Sequence, residues 1–259
     1  MPLQLAFETF GEGPPAVILH GLFGSGRNWR GIAQALSARY RVYCVDLRNH
    51  GASPWAATMS YPEMAADVRM LIETEGLDRP LVIGHSMGGK TAMALALESP
   101  ATVGRLVVVD IAPASYPDQV TPYLDAMRGV DTASMTQRAE AMHQMSQRVP
   151  DAQTVSFLMQ NLVLREEHYD WRLNLAAISA AVPTLCGFPA EVLLRSWRGP
   201  ATLIHGSLSD YVRPQHRPAI AQAFPAMGLV EIEGAGHWVH VDRPAELIAA
   251  LDLVPAVEA

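Results

Sequence analysis

Short apolar segments alternate along this chain with longer segments of helical spacing. Six runs rich in valine, isoleucine or leucine occupy 16–20, 42–46, 81–84, 106–110, 202–205 and 229–232. The helical segments occupy 29–38, 62–75, 87–98, 214–223 and 244–253. Nearly continuous apolar strands that alternate with helices predict an α/β fold with a mostly parallel central sheet flanked by helices. Ligands of such sheets bind at the carboxyl ends of the strands, so we expect functional residues directly after each run.

The alternation is interrupted between residues 112 and 198. This stretch is rich in methionine, glutamine and alanine, has helical spacing and contains no convincing strand. We predict that 112–198 is an inserted helical cap, and that 1–111 and 199–259 form the core. Its apolar residues would line a substrate cavity or, alternatively, pack the cap onto the core. They are Met127, Met135, Met142, Met145, Phe157, Leu158 and Leu162.

Length and charge exclude several classes of protein. A chain of 259 residues that is 49% hydrophobic can build one large core with an insertion, but not two ordinary α/β domains. The net charge of −7 gives no basic surface for nucleic acid or anionic membranes. No apolar run has the length of a spanning helix, so we expect no membrane insertion. The partner is expected to be a small molecule, and the sequence does not set the oligomeric state.

The cellular location is predicted from the N-terminus and the cysteines. The segment Met1 to Leu5 has neither the cationic nor the apolar region of a secretion signal. Cys44 and Cys186 are the two cysteines, and their positions do not imply a disulfide. We therefore expect a cytoplasmic protein.

A G-x-S-x-G motif lies between a buried strand and a helix. Gly84-His85-Ser86-Met87-Gly88 follows Leu81-Val82-Ile83 and precedes a helix-forming stretch. The two glycines allow the sharp turn that raises the serine hydroxyl to the edge of the sheet. The helix N-terminus behind it favours negative charge on a substrate oxygen. We interpret Ser86 as the nucleophile of an acyl-transfer site.

A serine nucleophile requires a base and an acid that orients the base. His237, in Gly234-Ala235-Gly236-His237-Trp238, follows the last strand on a glycine-flanked loop and is the candidate base. Asp110 and Asp210 each follow a strand and fit the order serine, acid, histidine. Either could instead cap a helix or a turn. The pattern of residues leaves both acids open.

The oxyanion of an acyl-transfer reaction requires two backbone amides. One would come from Met87 directly after the nucleophile, and the other from His20-Gly21-Leu22-Phe23-Gly24, with Leu22 favoured over Phe23. Phe23 and Trp238 are further candidates for contact with substrate. We expect His20, His50 and His85 to hold loops through hydrogen bonds.

Four motifs in this order resemble the α/β-hydrolase fold, and in detail the small YbfF-type bacterial esterases. They are His20-Gly21-Leu22-Phe23-Gly24-Ser25, Asp46-Leu47-Arg48-Asn49-His50-Gly51-Ala52-Ser53, Gly84-His85-Ser86-Met87-Gly88-Gly89-Lys90 and Gly234-Ala235-Gly236-His237-Trp238-Val239-His240. The resemblance implies that the acid is the aspartate of Asp110-Ile111-Ala112-Pro113. Ser209 would then be an accessory or substrate-binding group near the histidine and the acid, or an inert turn residue.

We therefore expect a serine hydrolase that uses Ser86, His237 and Asp110 through an acyl-enzyme. The substrate would be a short to medium acyl ester, or a thioester. A perhydrolase, haloperoxidase or C–C bond hydrolase on the same triad is the alternative enzyme, and a ligand-binding module without turnover is the alternative of another class. No cofactor is expected, and no metal, because His237 and His240 lack accompanying ligands.

Overall fold

A computed structural model describes residues 1–252 and has a seven-stranded sheet at its centre. The strands of the described residues are β1 (Phe7–Phe10), β2 (Pro15–Leu19), β3 (Arg41–Val45), β4 (Leu81–His85), β5 (Arg105–Val109), β6 (Leu162–Arg165), β7 (His168–Trp171), β8 (Ala201–Gly206) and β9 (Met227–Ile232). The strand order of the large sheet is β1-β3-β2-β4-β5-β8-β9. Within the large sheet, β1 is antiparallel to β3 and all other neighbours are parallel. The prediction of a mostly parallel sheet is confirmed.

Helices cover both faces of this sheet. They are α1 (Arg30–Leu36), α2 (Tyr61–Thr74), α3 (Met87–Glu98), α4 (Thr121–Arg128), α5 (Arg138–Ser146), α6 (Ala152–Met159), α7 (Leu175–Cys186), α8 (Arg217–Ala223), α9 (Val239–Asp242) and α10 (Pro244–Asp252). Alternate residues of each strand enter opposite cores. Val17 and Leu19 of β2 pack with α2 and α3, whereas Ala16 and Ile18 pack with α1 and α10. This burial on both faces explains why the strands read as continuous apolar runs.

Several predicted boundaries shift by a few residues. The segment predicted as helical from 29 begins as the 3-10 turn Gly26–Trp29, and the segment predicted from 214 begins as the 3-10 turn Pro214–His216. Leu253, the predicted last residue of the final helix, lies outside the described residues. Strand β1 was not predicted because it is a short edge strand whose central residues are exposed.

The stretch between β5 and β8 contains α4 to α7 and an antiparallel hairpin of β6 and β7. The prediction that it contains no strand is wrong. Each hairpin strand has four residues, and between the buried end residues Leu162 and Trp171 no residue is buried. So short a segment gives no alternation that a sequence pattern could detect.

A buried ion pair fixes the loop that follows β3. The Arg48 guanidinium contacts the Asp67 carboxylate on α2 at 2.7 Å, and the two side chains are 3% and 0% exposed. Asp67 also accepts a hydrogen bond from the amide of Leu3 at 2.6 Å. The pair ties the N-terminal segment and the loop containing His50 to α2, beside the carboxyl ends of the strands.

Candidate active site

Ser86 occupies a sharp turn between β4 and α3. Its backbone has φ 52° and ψ −118°, outside the regions that serine normally adopts. A Cβ on Gly84 would lie 2.2 Å from the carbonyl oxygen of Gly88, and a Cβ on Gly88 would lie 2.4 Å from that of Leu19. Both positions therefore require glycine, because the backbones approach too closely for any side chain. The turn presents the hydroxyl at the carboxyl edge of the sheet.

The structure brings Ser86, His237 and Asp110 together. His237 Nε2 lies 3.0 Å from Ser86 Oγ, and His237 Nδ1 lies 2.7 Å from Asp110 Oδ2. Ser86 follows β4, Asp110 follows β5, and His237 lies on the loop between β9 and α9. The three residues thus meet at one edge because each follows the carboxyl end of a parallel strand. A serine hydroxyl, an imidazole and a carboxylate in this order form a geometry in which the imidazole can accept the proton of a nucleophilic serine.

Of the two candidate acids, Asp110 contacts the imidazole. Its side chain is 0% exposed and accepts hydrogen bonds from the amide of Gly206 at 3.1 Å and the hydroxyl of Ser209 at 2.5 Å. Asp210 has a side chain that is 80% exposed and pairs with Arg213. Asp110 is therefore the acid that can orient His237 and support its positive charge.

Ser209 does not line the substrate cavity. Its hydroxyl donates to Asp110 Oδ2, the same oxygen that faces His237 Nδ1. Of the predicted alternatives for Ser209, the structure gives it the position of an accessory group that contacts the acid, and not that of a substrate-binding residue in the cavity lining. Its position one residue before Asp210, in the loop after β8, brings it to Asp110.

The geometry favours Leu22 over Phe23 as the second oxyanion donor. The Phe23 amide donates to His50 Nε2 at 3.3 Å. The Leu22 amide and the Met87 amide, by contrast, have no hydrogen-bond partner within residues 1–252. Met87 also begins α3, whose N-terminal amides carry partial positive charge.

Three buried histidines hold the loops around Ser86. His50 accepts from Phe23, His85 Nε2 donates to the carbonyl of His237 at 2.9 Å, and His20 Nδ1 lies 2.8 Å from the carbonyl of the next residue. Burial lowers the pKa of His20 to about 4 and that of His50 to about 3, and holds the pKa of His85 well below its usual value. At neutral pH these rings are uncharged, so each can donate from one nitrogen and accept at the other.

A cavity of about 460 Å³ opens onto Ser86 and His237. Phe23, Phe157 and Trp238 contribute to its apolar lining, and the rings of Phe157 and Trp238 lie 5.2 Å apart. Tyr211 stacks on the His237 imidazole with ring centroids 4.0 Å apart. Such a lining suits a substrate that has apolar substituents and a reacting group in contact with Ser86 and His237.

Of the two alternatives predicted for the apolar residues between β5 and β8, packing onto the core is found for the buried methionines, and lining of the cavity for two other residues. Phe157 and Leu158 line the cavity, whereas Met127, Met135 and Met145 are buried in the packing between that stretch and the core. Leu162 belongs to the same packing, and Met142 is partly exposed.

Among the cavity residues that no sequence motif indicated, Tyr211 and Lys90 lie next to groups of the site. Tyr211 contacts the imidazole, and Lys90 lies buried in the cavity wall. A lysine within a helix-forming stretch is normally exposed, so the sequence carried no signal of its burial.

Residues 1–252 contain no cluster of three or more histidine, cysteine, aspartate or glutamate side chains arranged to hold a metal ion. In the same part of the chain, no helix combines the length and hydropathy required to cross a membrane.

Comparison with known proteins places this geometry in a family. The family model for the alpha/beta hydrolase fold matches residues 14–244. The sn-1-specific diacylglycerol lipase ABHD11 of Xenopus tropicalis is 40% identical over 253 residues, which cover 95% of this chain and 79% of that protein. Esterase YbfF of Escherichia coli is 34% identical over 241 residues, covering 92% of this chain and 91% of the relative.

A solved structure also matches over nearly the whole chain. It is described as a marine microorganism esterase, has 36% sequence identity and a TM-score of 0.94, and the match covers 98% of this chain and 100% of that one. The fold and the sequence agree over the same residues. This chain therefore belongs to the α/β-hydrolase family and resembles its YbfF-type esterases.

Proposed function

We propose that this protein is a carboxylesterase that cleaves short to medium acyl esters, and thioesters of the same acyl groups, through a covalent acyl-enzyme. The observation that carries the proposal is the continuous chain of contacts from Ser86 Oγ through His237 to Asp110 Oδ2, with distances of 3.0 and 2.7 Å. The relatives named as esterases and as a lipase support ester bonds as the substrate class. The proposed location is the cytoplasm.

Acylation would begin with attack of Ser86 Oγ on the ester carbonyl carbon. His237 Nε2 accepts the hydroxyl proton as the new C–O bond forms, and Asp110 stabilises the imidazolium. The amides of Leu22 and Met87 bind the oxyanion. When the tetrahedral intermediate collapses, the C–O bond to the alcohol breaks and His237 returns the proton to the leaving oxygen.

Deacylation would repeat these steps with water as the nucleophile. His237 removes a proton from water, the hydroxide adds to the acyl carbon, and the bond to Ser86 Oγ breaks as Ser86 regains its proton. The products are a carboxylic acid and an enzyme ready for another cycle. None of these steps calls for a group beyond the side chains and amides already described.

The stretch 112–198 is proposed to be the cap of this esterase, seated on a core of 1–111 and 199–259, of which 253–259 lie outside the described residues. Phe157 of α6 packs on Trp238, next to the base, so this stretch closes the cavity above the triad. Its position supports control of substrate size by the residues between β5 and β8.

Substitution of the nucleophile tests the proposal. Ser86→Ala should reduce hydrolysis of p-nitrophenyl butyrate by about a millionfold, because the acyl-enzyme cannot form. A fluorophosphonate probe should label the wild-type protein at Ser86 and leave the variant unlabelled. Thermal unfolding of the variant serves as the control for folding, since alanine removes a single oxygen from a turn already held by two glycines.

Two results would contradict the proposal. Undiminished turnover by pure, folded Ser86→Ala protein would exclude Ser86 as the nucleophile. A wild-type protein that neither hydrolyses esters nor reacts with the probe would be a ligand-binding module. A parallel assay of monochlorodimedone halogenation would identify a haloperoxidase on the same triad.

A further inference from the structure

Lys90 is a buried cation in the wall of the cavity. It lies in α3, four residues after Ser86, and its side chain is 1% exposed. Within residues 1–252 no carboxylate forms an ion pair with it. Burial of an unpaired charge is costly, so other polar groups must stabilise this ammonium.

The C-terminus of α7 provides those groups. Lys90 Nζ donates to the carbonyl oxygens of Gly187, Cys186 and Leu185 at 2.6, 3.3 and 3.4 Å. The last carbonyls of a helix lack internal donors and carry partial negative charge, which favours a cation beside them. The Tyr61 hydroxyl donates to Leu185 as well, at 2.6 Å. The lysine therefore joins the helix after the nucleophile to a helix of the proposed cap.

This cluster closes the inner end of the cavity. Tyr61, Lys90 and Leu185 are all buried residues of its lining, and Nζ lies 5.5 Å from the centre of the Tyr61 ring. The lining residues Gln119 and Gln153 are exposed and mark where the cavity meets solvent.

The order of product release assigns the inner end to the acyl group. In a two-step hydrolysis the alcohol leaves while the acyl group is still bound to Ser86. The alcohol therefore requires the path to solvent, and the acyl chain occupies the closed side. An acyl chain of increasing length would reach the ammonium of Lys90.

We propose that Lys90 sets the upper limit of acyl-chain length by closing the acyl pocket with a charged head; this inference rests on the proposed ester hydrolysis at Ser86. A chain that stops short of Nζ gains from burial of each methylene, by about fourfold in affinity. A chain that reaches Nζ brings apolar carbon against a desolvated ammonium and loses that gain.

The charge of this wall changes near neutral pH. Burial lowers the pKa of Lys90 to about 7. The other titratable groups that face it behave differently: burial raises the pKa of Tyr61, Tyr116 and Cys186, and lowers that of His216 below its ordinary value. Between about pH 6.5 and about pH 8.5, Lys90 is therefore the group of this wall that loses its charge. When Lys90 loses its charge, a long acyl chain should bind against this wall more favourably.

The test compares Lys90→Met with the closely matched Lys90→Gln on p-nitrophenyl esters from acetate to decanoate. The methionine variant should raise the ratio of kcat/KM for decanoate to kcat/KM for butyrate by about tenfold, mainly through KM. The glutamine variant keeps a polar head and should change the ratio by less than about threefold. In the wild type the ratio should rise with pH across the interval above, whereas in Lys90→Met it should stay flat, because triad protonation affects both substrates equally.

Thermal unfolding establishes that both variants are folded. An equal loss of activity on every chain length in Lys90→Met would overturn the inference and leave ester hydrolysis intact. The inference would also be overturned if Lys90→Met left the ratio of kcat/KM for decanoate to kcat/KM for butyrate unchanged. Absence of hydrolysis by the wild-type protein on every ester would instead refute the proposed function, and the inference with it.

Discussion

Replacement of Asp110 by asparagine removes the charge behind His237 without changing the size of the side chain. Asp110 Oδ2 faces two donors, Ser209 Oγ and His237 Nδ1, and Oδ1 accepts from the amide of Gly206. An asparagine amide nitrogen would therefore face a donor in either orientation. One orientation opposes Gly206, and the other opposes the hydroxyl and the imidazole.

The expected loss follows from these contacts. With the amide nitrogen toward His237, the imidazole must present Nδ1 as an acceptor, so its proton moves to Nε2 and the ring can no longer accept the proton of Ser86. With the opposite orientation the tautomer is kept, but the imidazolium loses its counter-charge and Gly206 loses its acceptor. We expect kcat/KM to fall by about 10⁴-fold, or about 5 kcal/mol in transition-state stabilisation.

Initial rates of p-nitrophenyl butyrate hydrolysis measure this loss, and circular dichroism establishes that the variant is folded. Asp210→Asn is the matched control: its exposed side chain pairs with Arg213, so its activity should stay within about twofold of wild type. A larger loss from Asp210→Asn than from Asp110→Asn would refute the assignment of the acid. Equal small losses would show that the imidazole requires no acid.

Two further predictions concern stability. Asp67→Asn removes the buried carboxylate charge from Arg48 and leaves it with the Glu63 carboxylate at 3.2 Å, so it should lower the free energy of unfolding by about 1.5–3 kcal/mol, measured by urea denaturation; an unchanged midpoint would contradict this. Burial lowers the pKa of His20 to about 4, and those of His50 and His240 to about 3. The unfolded chain therefore binds more protons below about pH 6.5, and stability should fall as the pH drops from there toward about 4. His240→Phe should make this decline shallower, because it removes one of the histidines whose pKa burial lowers; its ring Nδ1 is buried without a hydrogen-bond partner in the described part of the chain. An equally steep decline would exclude this histidine as a contributor.

The order of strands and helices in the core was predictable because burial on both sheet faces leaves continuous apolar runs. The same reasoning failed where burial is incomplete. The edge strand β1 and the hairpin of β6 and β7 are short and partly polar, so their pairing depends on tertiary contacts that no local pattern records.

The contact between Ser86 and His237 was predictable because each lies on a glycine-flanked turn after a strand. The choice of Asp110 over Asp210 came from resemblance, since both follow strands in the right order. The burial of Lys90 could not be predicted from the sequence, for a different reason. Its burial depends on the C-terminus of α7, about a hundred residues away in sequence, and a single chain does not reveal which helix end will lie over which side chain.

Two reactive positions adopt left-handed backbone geometry: φ is 52° at Ser86 and 53° at Asp110. Each such residue costs about 1–3 kcal/mol relative to relaxed backbone. The scaffold thus holds the proposed nucleophile and the proposed acid in strained backbone conformations, and the surrounding hydrogen bonds and close-packed glycine contacts must outweigh the cost of that strain. A lineage that abandoned turnover could relax both positions and become more robust to heat, so durability and reactivity are opposed at the same two residues.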